Sequence, residues 1–245
     1  MPIKFEQRLN EGIATVEYFI HKVGLTTAER TFILDIGGGS TEISFVHQGK
    51  IYFNDSIKFA GNNFILSSKS LLNKIVGKDI LDKEEDEILR AFNLMFSSDE
   101  FLIPGWNNKL AEFYGDEQFK TEVYFLNSIF FGSLMFYLGM HLSKFNESIE
   151  TIQVALAGNG SRFLEIITMG NQLEEATLGD KWKKFLLEMI KGGYAIQNSN
   201  NQNTLKNLKL MFTKEPKKEV VYGLLYKKEL IKDESNDVKK MLGLN

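Results

Sequence analysis

Residues 31–45, TFILDIGGGSTEISF, decide the fold. An apolar run (Phe32, Ile33, Leu34) leads into Asp35, then Gly37, Gly38 and Gly39, then Ser40, Thr41 and Glu42, after which apolar residues alternate at Ile43 and Phe45. The pattern reads as strand, glycine turn, strand. Consecutive glycines carry an entropic cost, so a turn made of them is expected to use its bare backbone. One use is to aim several N–H groups at an anion, with hydroxyls alongside. Asp35 at the mouth would repel a naked phosphate but suits a metal-bound water. The same residues also suit an ordinary glycine hairpin.

Around this stretch the composition narrows the field. At 245 residues the chain is long enough for one or two domains with a sizeable core. Lys plus Arg is 29 and Asp plus Glu is 32, a net charge of −3 that gives no reason to expect nucleic acid or an anionic membrane as partner. With no cysteine there is no disulfide framework and no thiolate chemistry, which fits a cytoplasmic location. His21, His47 and His141 lie far apart, read as surface or boundary residues, and lack ligand spacing. The most apolar stretch, 123–142, is interrupted by Asn127, Ser128, Ser133 and His141 and reads as a buried helix rather than a membrane span.

Upstream, apolar residues at 13, 16, 19, 20 and 23 form a helical stripe, with Asn10 as N-cap and Gly24 as stop. Glu11 falls in the first turn, where the helix dipole favours a carboxylate. Downstream, Gly49 turns the chain into a third strand over 51–57, and 60–64 opens a helix running through 75. Residues 79–119 change character, with an acidic run at 82–87, a short helix and a Pro104–Gly105 loop, and read as an inserted helical lobe whose acidic run is a solvated face. A long apolar helix covers 121–144. A continuous apolar strand at 152–157 runs into Gly158, Asn159, Gly160, Ser161 and Arg162, and a helix follows. Glycine loops between strand and helix are where open α/β sheets bind ligands. Two glycines flanking Asn159 would let a flat ring approach the backbone, with Arg162 beside it. An amphipathic helix over 173–190, a polar linker at 197–203, a strand at 205–212, a helix over 216–226 and a charged tail complete the chain. Three antiparallel strands followed by alternating helix and strand make an α/β fold with a mixed five-stranded sheet.

In this order the motifs resemble the second half of the actin-like ATPase superfamily, which includes actin, the DnaK heat-shock chaperone, sugar kinases and exopolyphosphatases. DIGGGSTE (35–42) is similar to its second phosphate loop, and NEGIATVEYF (10–19) to the chaperone's Asn-Glu-Pro-Thr-Ala-Ala-Ala helix, with Gly12 in the proline's place. KFAGNNF (58–64) resembles the Gly-Gly-Glu-Asp-Phe turn, LAGNGSRF (156–163) the adenosine loop, and EVVYGLL (219–225) the closing Ala-Val-Ala-Tyr-Gly helix. The resemblance implies a ribonuclease-H-like core over 10–78 and 120–232, with 1–9 a remnant of a preceding domain and 233–245 a tail. It implies that Gly37, Gly38, Gly39, Ser40 and Thr41 hold the β- and γ-phosphates of ATP. Asp35 and Glu42 would bind Mg²⁺ through water, with Asp35 and Glu11 as the catalytic pair. Gly158, Asn159, Gly160 and Arg162 would hold adenosine.

The pattern also departs from the superfamily. Its first phosphate loop, Asp-x-Gly-Thr-Thr-like, comes from an N-terminal domain, and nothing before Asn10 resembles it. The chain is therefore expected to offer one wall of a nucleotide cleft. It would be inactive alone, would need the missing domain or a partner supplying it, and would tend to self-associate. Lys217 stands where the chaperone has an acid beside the adenine. Two other readings share the motifs: a fragment of an exopolyphosphatase or guanosine-pentaphosphate phosphatase, and a non-catalytic scaffold or filament subunit.

Overall fold

A computed structural model describes residues 11–25, 30–48, 50–76, 83–90, 115–145, 150–164, 179–197, 205–213 and 218–225. The strands are β1 (Thr31–Ile36), β2 (Thr41–His47), β3 (Lys50–Ile57), β4 (Thr151–Ala157) and β5 (Asn207–Phe212). They form a single sheet in the order β3-β2-β1-β4-β5. β1 pairs antiparallel with β2 and β2 with β3, while β4 runs parallel to β1 and β5 parallel to β4. This is the mixed five-stranded sheet with ribonuclease-H-like strand order that the sequence led us to expect. The parallel connections place helices on both faces.

The helices are α1 (Glu11–Tyr18), α2 (Gly61–Ser67), α3 (Lys69–Val76), α4 (Glu117–Leu142), α5 (Asp180–Gln197) and α6 (Glu219–Leu225). On one face of the sheet, alternate strand residues Ile33, Val46, Ile51, Ala155 and Ala157 pack with Val16 and Phe19 of the α1 segment. The other face is larger and aromatic. Phe32, Leu34, Ile36, Ile43 and Phe45 pack there with Phe130, Phe131 and Leu138 of α4 and Leu186 and Ile190 of α5. Each such side chain taken fully out of water contributes on the order of 2–3 kcal/mol. α4 has the length and composition of a membrane span. Here it is a core helix, lying against the sheet and α5.

Several boundaries differ from the sequence reading, each for a local reason. The first helix does end at Gly24, which is left-handed (φ 81°), but its last turn, Phe19–Val23, is a π-helix. The helix expected through residue 75 is broken into α2 and α3. At the break Ser68 turns its hydroxyl onto the Phe64 carbonyl, competing with the backbone ladder. α4 begins at Glu117 because Asp116 caps it, its Oδ1 accepting from Phe119 N at 2.9 Å. α5 runs on to Gln197, which the sequence reading assigned to a linker. His141 is buried, not a boundary residue; it stacks on Phe53 at 4.0 Å, and burial pushes its pKa down to about 4. Of the expected inserted lobe, residues 79–82 and 91–114 lie outside the described residues, as do the proposed cap Asn10, Lys217, the linker 198–203 and the tail.

Candidate functional site

β1 and β4 are neighbours and parallel, with Asp35 opposite Ala157. The glycine hairpin after β1 and the glycine turn after β4 therefore emerge side by side at the carboxyl ends of two adjacent strands. Open α/β sheets bind ligands at that edge.

The hairpin is closed by Gly37 N–H donating to the Ser40 carbonyl at 2.9 Å. Its carbonyls are held from behind by the start of α2: Gly61 N–H donates to Gly37 O (2.9 Å) and Asn62 N–H to Gly38 O (2.8 Å). The described residues contain no cis peptide. In a trans peptide the C=O and the following N–H point in opposite directions. The N–H groups of Gly38 and Gly39 are thus turned away from α2. Two donors with a common orientation, on a backbone without side chains, are suited to an anion. Gly61 makes the docking possible, since a Cβ on it would lie 3.0 Å from Gly37 O.

The two hydroxyls of the hairpin differ. Ser40 Oγ donates to Glu42 Oε1 at 3.2 Å and is half-buried at the mouth. Thr41 is fully buried, and its hydroxyl donates to the Phe59 carbonyl at 2.7 Å, so it braces the base of the hairpin.

The carboxylates gather at the same end. Asp35, Glu42 and Ser56 are successive cross-strand partners, so their side chains share one face of the sheet. Ser56 Oγ donates to Glu42 Oε1 at 2.6 Å. Glu11 stands exposed at the start of α1. Asp35 is pushed up to about 6, chiefly by burial and further by the negative charges of Glu11 and Glu42; the Thr15 hydroxyl, donating to Asp35 Oδ2 at 3.1 Å, works the other way. Among the described residues no three His, Cys, Asp or Glu side chains group closely enough to hold a metal ion directly. What the site offers a divalent cation is carboxylates that repel one another and hydroxyls that orient them. That donor set fits a hydrated ion.

The β4 turn is fitted tightly to this centre. Gly158 has φ +72°, and a Cβ on it would collide with Asp35 Oδ1 and the Ile36 carbonyl. Gly160 similarly lies against the Ile36 side chain. Ser161, named in the loop but given no role by the sequence reading, is buried and donates its hydroxyl to Gly158 O at 2.7 Å, which fixes the turn. Asn159 and Arg162 are half-buried within the turn. Beneath both loops Phe163 stacks on Phe64 at 4.1 Å, so the β4 turn and α2 share one support. Thr15 and Ser161 were the residues missed from sequence. Thr15 lies one helical turn after Glu11, and only the packing of α1 on the β1–β2 end of the sheet reveals its partner.

No protein-family model matches the chain, and no curated protein does. Solved structures that it resembles include the ethanolamine utilization protein EutJ from Carboxydothermus hydrogenoformans (10% identity, TM-score 0.45, covering 89% of this chain and 53% of that one). A PilM–PilN type IV pilus biogenesis complex (12%, 0.43, 87% and 50%) and a Bacillus thuringiensis ParM hybrid protein with ADP (12%, 0.38, 88% and 27%) are others. EutJ, PilM and ParM are all members of the actin-like ATPase superfamily. The chain spans about half the length of the first two and about a quarter of the third. At these scores the strand order, not the likeness, carries the fold.

Proposed function

We propose that this chain is the Mg-ATP-binding half of an actin-like ATPase, holding phosphates at the 37–41 hairpin and the nucleoside at the 158–162 turn. One observation supports this above the others. The start of α2 captures the carbonyls of Gly37 and Gly38, leaving the N–H groups of Gly38 and Gly39 directed outward beside Asp35 and Glu42. Backbone donors would hold phosphate oxygens, and Ser40 would add a hydroxyl. Thr41 would act through the hairpin's shape. Asp35 and Glu42 would hold a hydrated Mg²⁺, with Glu11 at its outer side. When bound, the ion supplies charge neutralisation for the phosphates. The carboxylates orient water, and the close seating of Gly158 and Gly160 on Asp35 and Ile36 brings the β4 turn, where the nucleoside would lie, against the same centre. Hydrolysis requires a second wall, from an N-terminal domain of the same fold or a partner carrying one.

The test is calorimetric titration of the chain with ATP, ADP and long-chain polyphosphate, each with and without Mg²⁺, alone and with an actin-like N-terminal domain supplied. Mg²⁺-dependent ATP binding that weakens at least about tenfold in Gly38→Pro, which lacks the N–H, is the expected result. Preference for polyphosphate over ATP would move the assignment to a polyphosphate phosphatase. Absence of any binding with the second domain present would leave a scaffold role.

A further inference from the structure

We propose that Thr15 is the positioning residue of this site, fixing the Asp35 carboxylate in the rotation that faces the hairpin and the β4 turn. The inference rests on the reading of Asp35 as a holder of metal-bound water. Thr15 is fully buried on α1, and its Oγ1 lies 3.0 Å from the Glu11 carbonyl and 3.1 Å from Asp35 Oδ2. A helical threonine is satisfied by bonding back to the preceding turn alone. This one also reaches a carboxylate on a different element, twenty residues along the chain. Its single proton goes to the stronger acceptor, and an ionised carboxylate is stronger than a peptide carbonyl.

The opposite side of the carboxylate is closed as well. Asp35 Oδ1 lies against Gly158, where a Cβ would not fit. Oδ2 is thus tied by Thr15 while Oδ1 sits against the Gly158 backbone, so each carboxylate oxygen has a fixed neighbour. α1 in turn is anchored from behind: Gly223 of α6 packs directly on the Ala14 carbonyl, and Tyr18 Oη lies 3.2 Å from Thr213 Oγ1. The hydroxyl therefore reaches Asp35 from a helix held on two sides. Residues that orient a metal's ligands in this way commonly change metal affinity 10–100-fold when removed.

The test compares the full chain with Thr15→Val, which keeps the shape and removes the hydroxyl, and Thr15→Ser, which keeps the hydroxyl. ATP affinity is measured with and without Mg²⁺. Thr15→Val is expected to lose about tenfold of the Mg²⁺-dependent affinity while metal-free ATP binding stays within about twofold, and Thr15→Ser is expected to behave as wild type. An undiminished Mg²⁺ increment in Thr15→Val overturns the proposal. So does an equal loss in Thr15→Ser, which would mean that packing of the methyl group is what matters. A wild-type chain whose ATP binding gains nothing from Mg²⁺ refutes the proposed function instead. Thr15 is then judged on the unliganded chain, by the carboxyl ¹³C resonance of Asp35 assigned with Asp35→Asn. That resonance is expected to move in Thr15→Val and not in Thr15→Ser; a resonance unmoved by Thr15→Val overturns the positioning role.

Discussion

Two parts of this molecule are built on glycine, and they use it in opposite ways. At the crossing of α4 and α5, a Cβ on Gly139 would collide with the Ile190 carbonyl, and one on Gly193 with the Phe136 carbonyl. The two helix backbones touch there, and the glycines are filled space. At the hairpin after β1, a Cβ on Gly39 would meet nothing within 4 Å, and the residue is exposed. Its glycine is empty space, next to the two N–H groups turned away from α2. On the proposed function, the difference separates residues that hold the fold together from residues that would hold a ligand.

The comparison breaks most visibly in the helix pair. Gly139→Ala and Gly193→Ala each force apart backbones that cannot give by a side-chain rotation, so a loss of more than about 3 kcal/mol is expected. In a chain of this size that is a fall of about ten degrees in the unfolding midpoint by differential scanning calorimetry. A shift of less than about two degrees would mean that the helices are not in backbone contact.

The site gives the reverse effect. Asp35 is held at about 6, above the ordinary carboxylate value of 3.8, mainly by burial. A carboxyl with a raised folded-state pKa favours the folded state when protonated. Its contribution is fully present below about pH 4 and is lost as pH rises through about 6. Two units correspond to at most about 3 kcal/mol of stability lost across that window. Asp35→Asn removes the penalty, so at pH 8 the variant is expected to be more stable than wild type by about 1–2 kcal/mol, with the gain vanishing at pH 4. Denaturant melts at the two pH values measure it. Equal stability of the two proteins at pH 8 would count against a buried, charge-crowded Asp35. A residue whose removal stabilises the fold is kept for another reason.

These two regions also differ in how far the sequence discloses them. The β1–β2 hairpin is legible because strand periodicity, three glycines and polar flanks agree over fifteen residues (31–45). The β4 turn is legible for the same reason, an apolar strand running straight into Gly158. The α4–α5 crossing is not. Gly139 and Gly193 are 54 positions apart (193 − 139), and a glycine inside an apolar helix reads only as a weak helix former until its partner backbone is in view. Thr15 is hidden similarly, since its partner lies on another element. The break at Ser68 depends on a hydroxyl choosing a backbone carbonyl, a choice that Ser67 beside it could equally make on paper.

A sharper cut lies within the hairpin itself, between its two hydroxyls. Thr41→Val removes the bond to the Phe59 carbonyl and is expected to cost about 1 kcal/mol of stability while leaving ATP affinity within about twofold. Ser40→Ala should do the converse, weakening binding with little change in the melt. If Thr41→Val lost binding as strongly as Ser40→Ala, the threonine hydroxyl would have to leave Phe59 when ligand arrives.

The smallest stability effect is expected at Gly39, and it isolates what the empty space is for. A methyl group there meets no atom, so Gly39→Ala should shift stability by no more than about 0.5 kcal/mol, the ordinary range for surface substitutions. The N–H group remains, so the donor itself is not lost. Any weakening of ATP binding in this variant therefore measures crowding at the mouth of the hairpin alone. A loss of several-fold in affinity with an unchanged melt would mean that phosphate approaches within van der Waals distance of Cα, as backbone recognition requires. Unchanged affinity would place the anion over Gly38 and leave Gly39 as clearance for the turn.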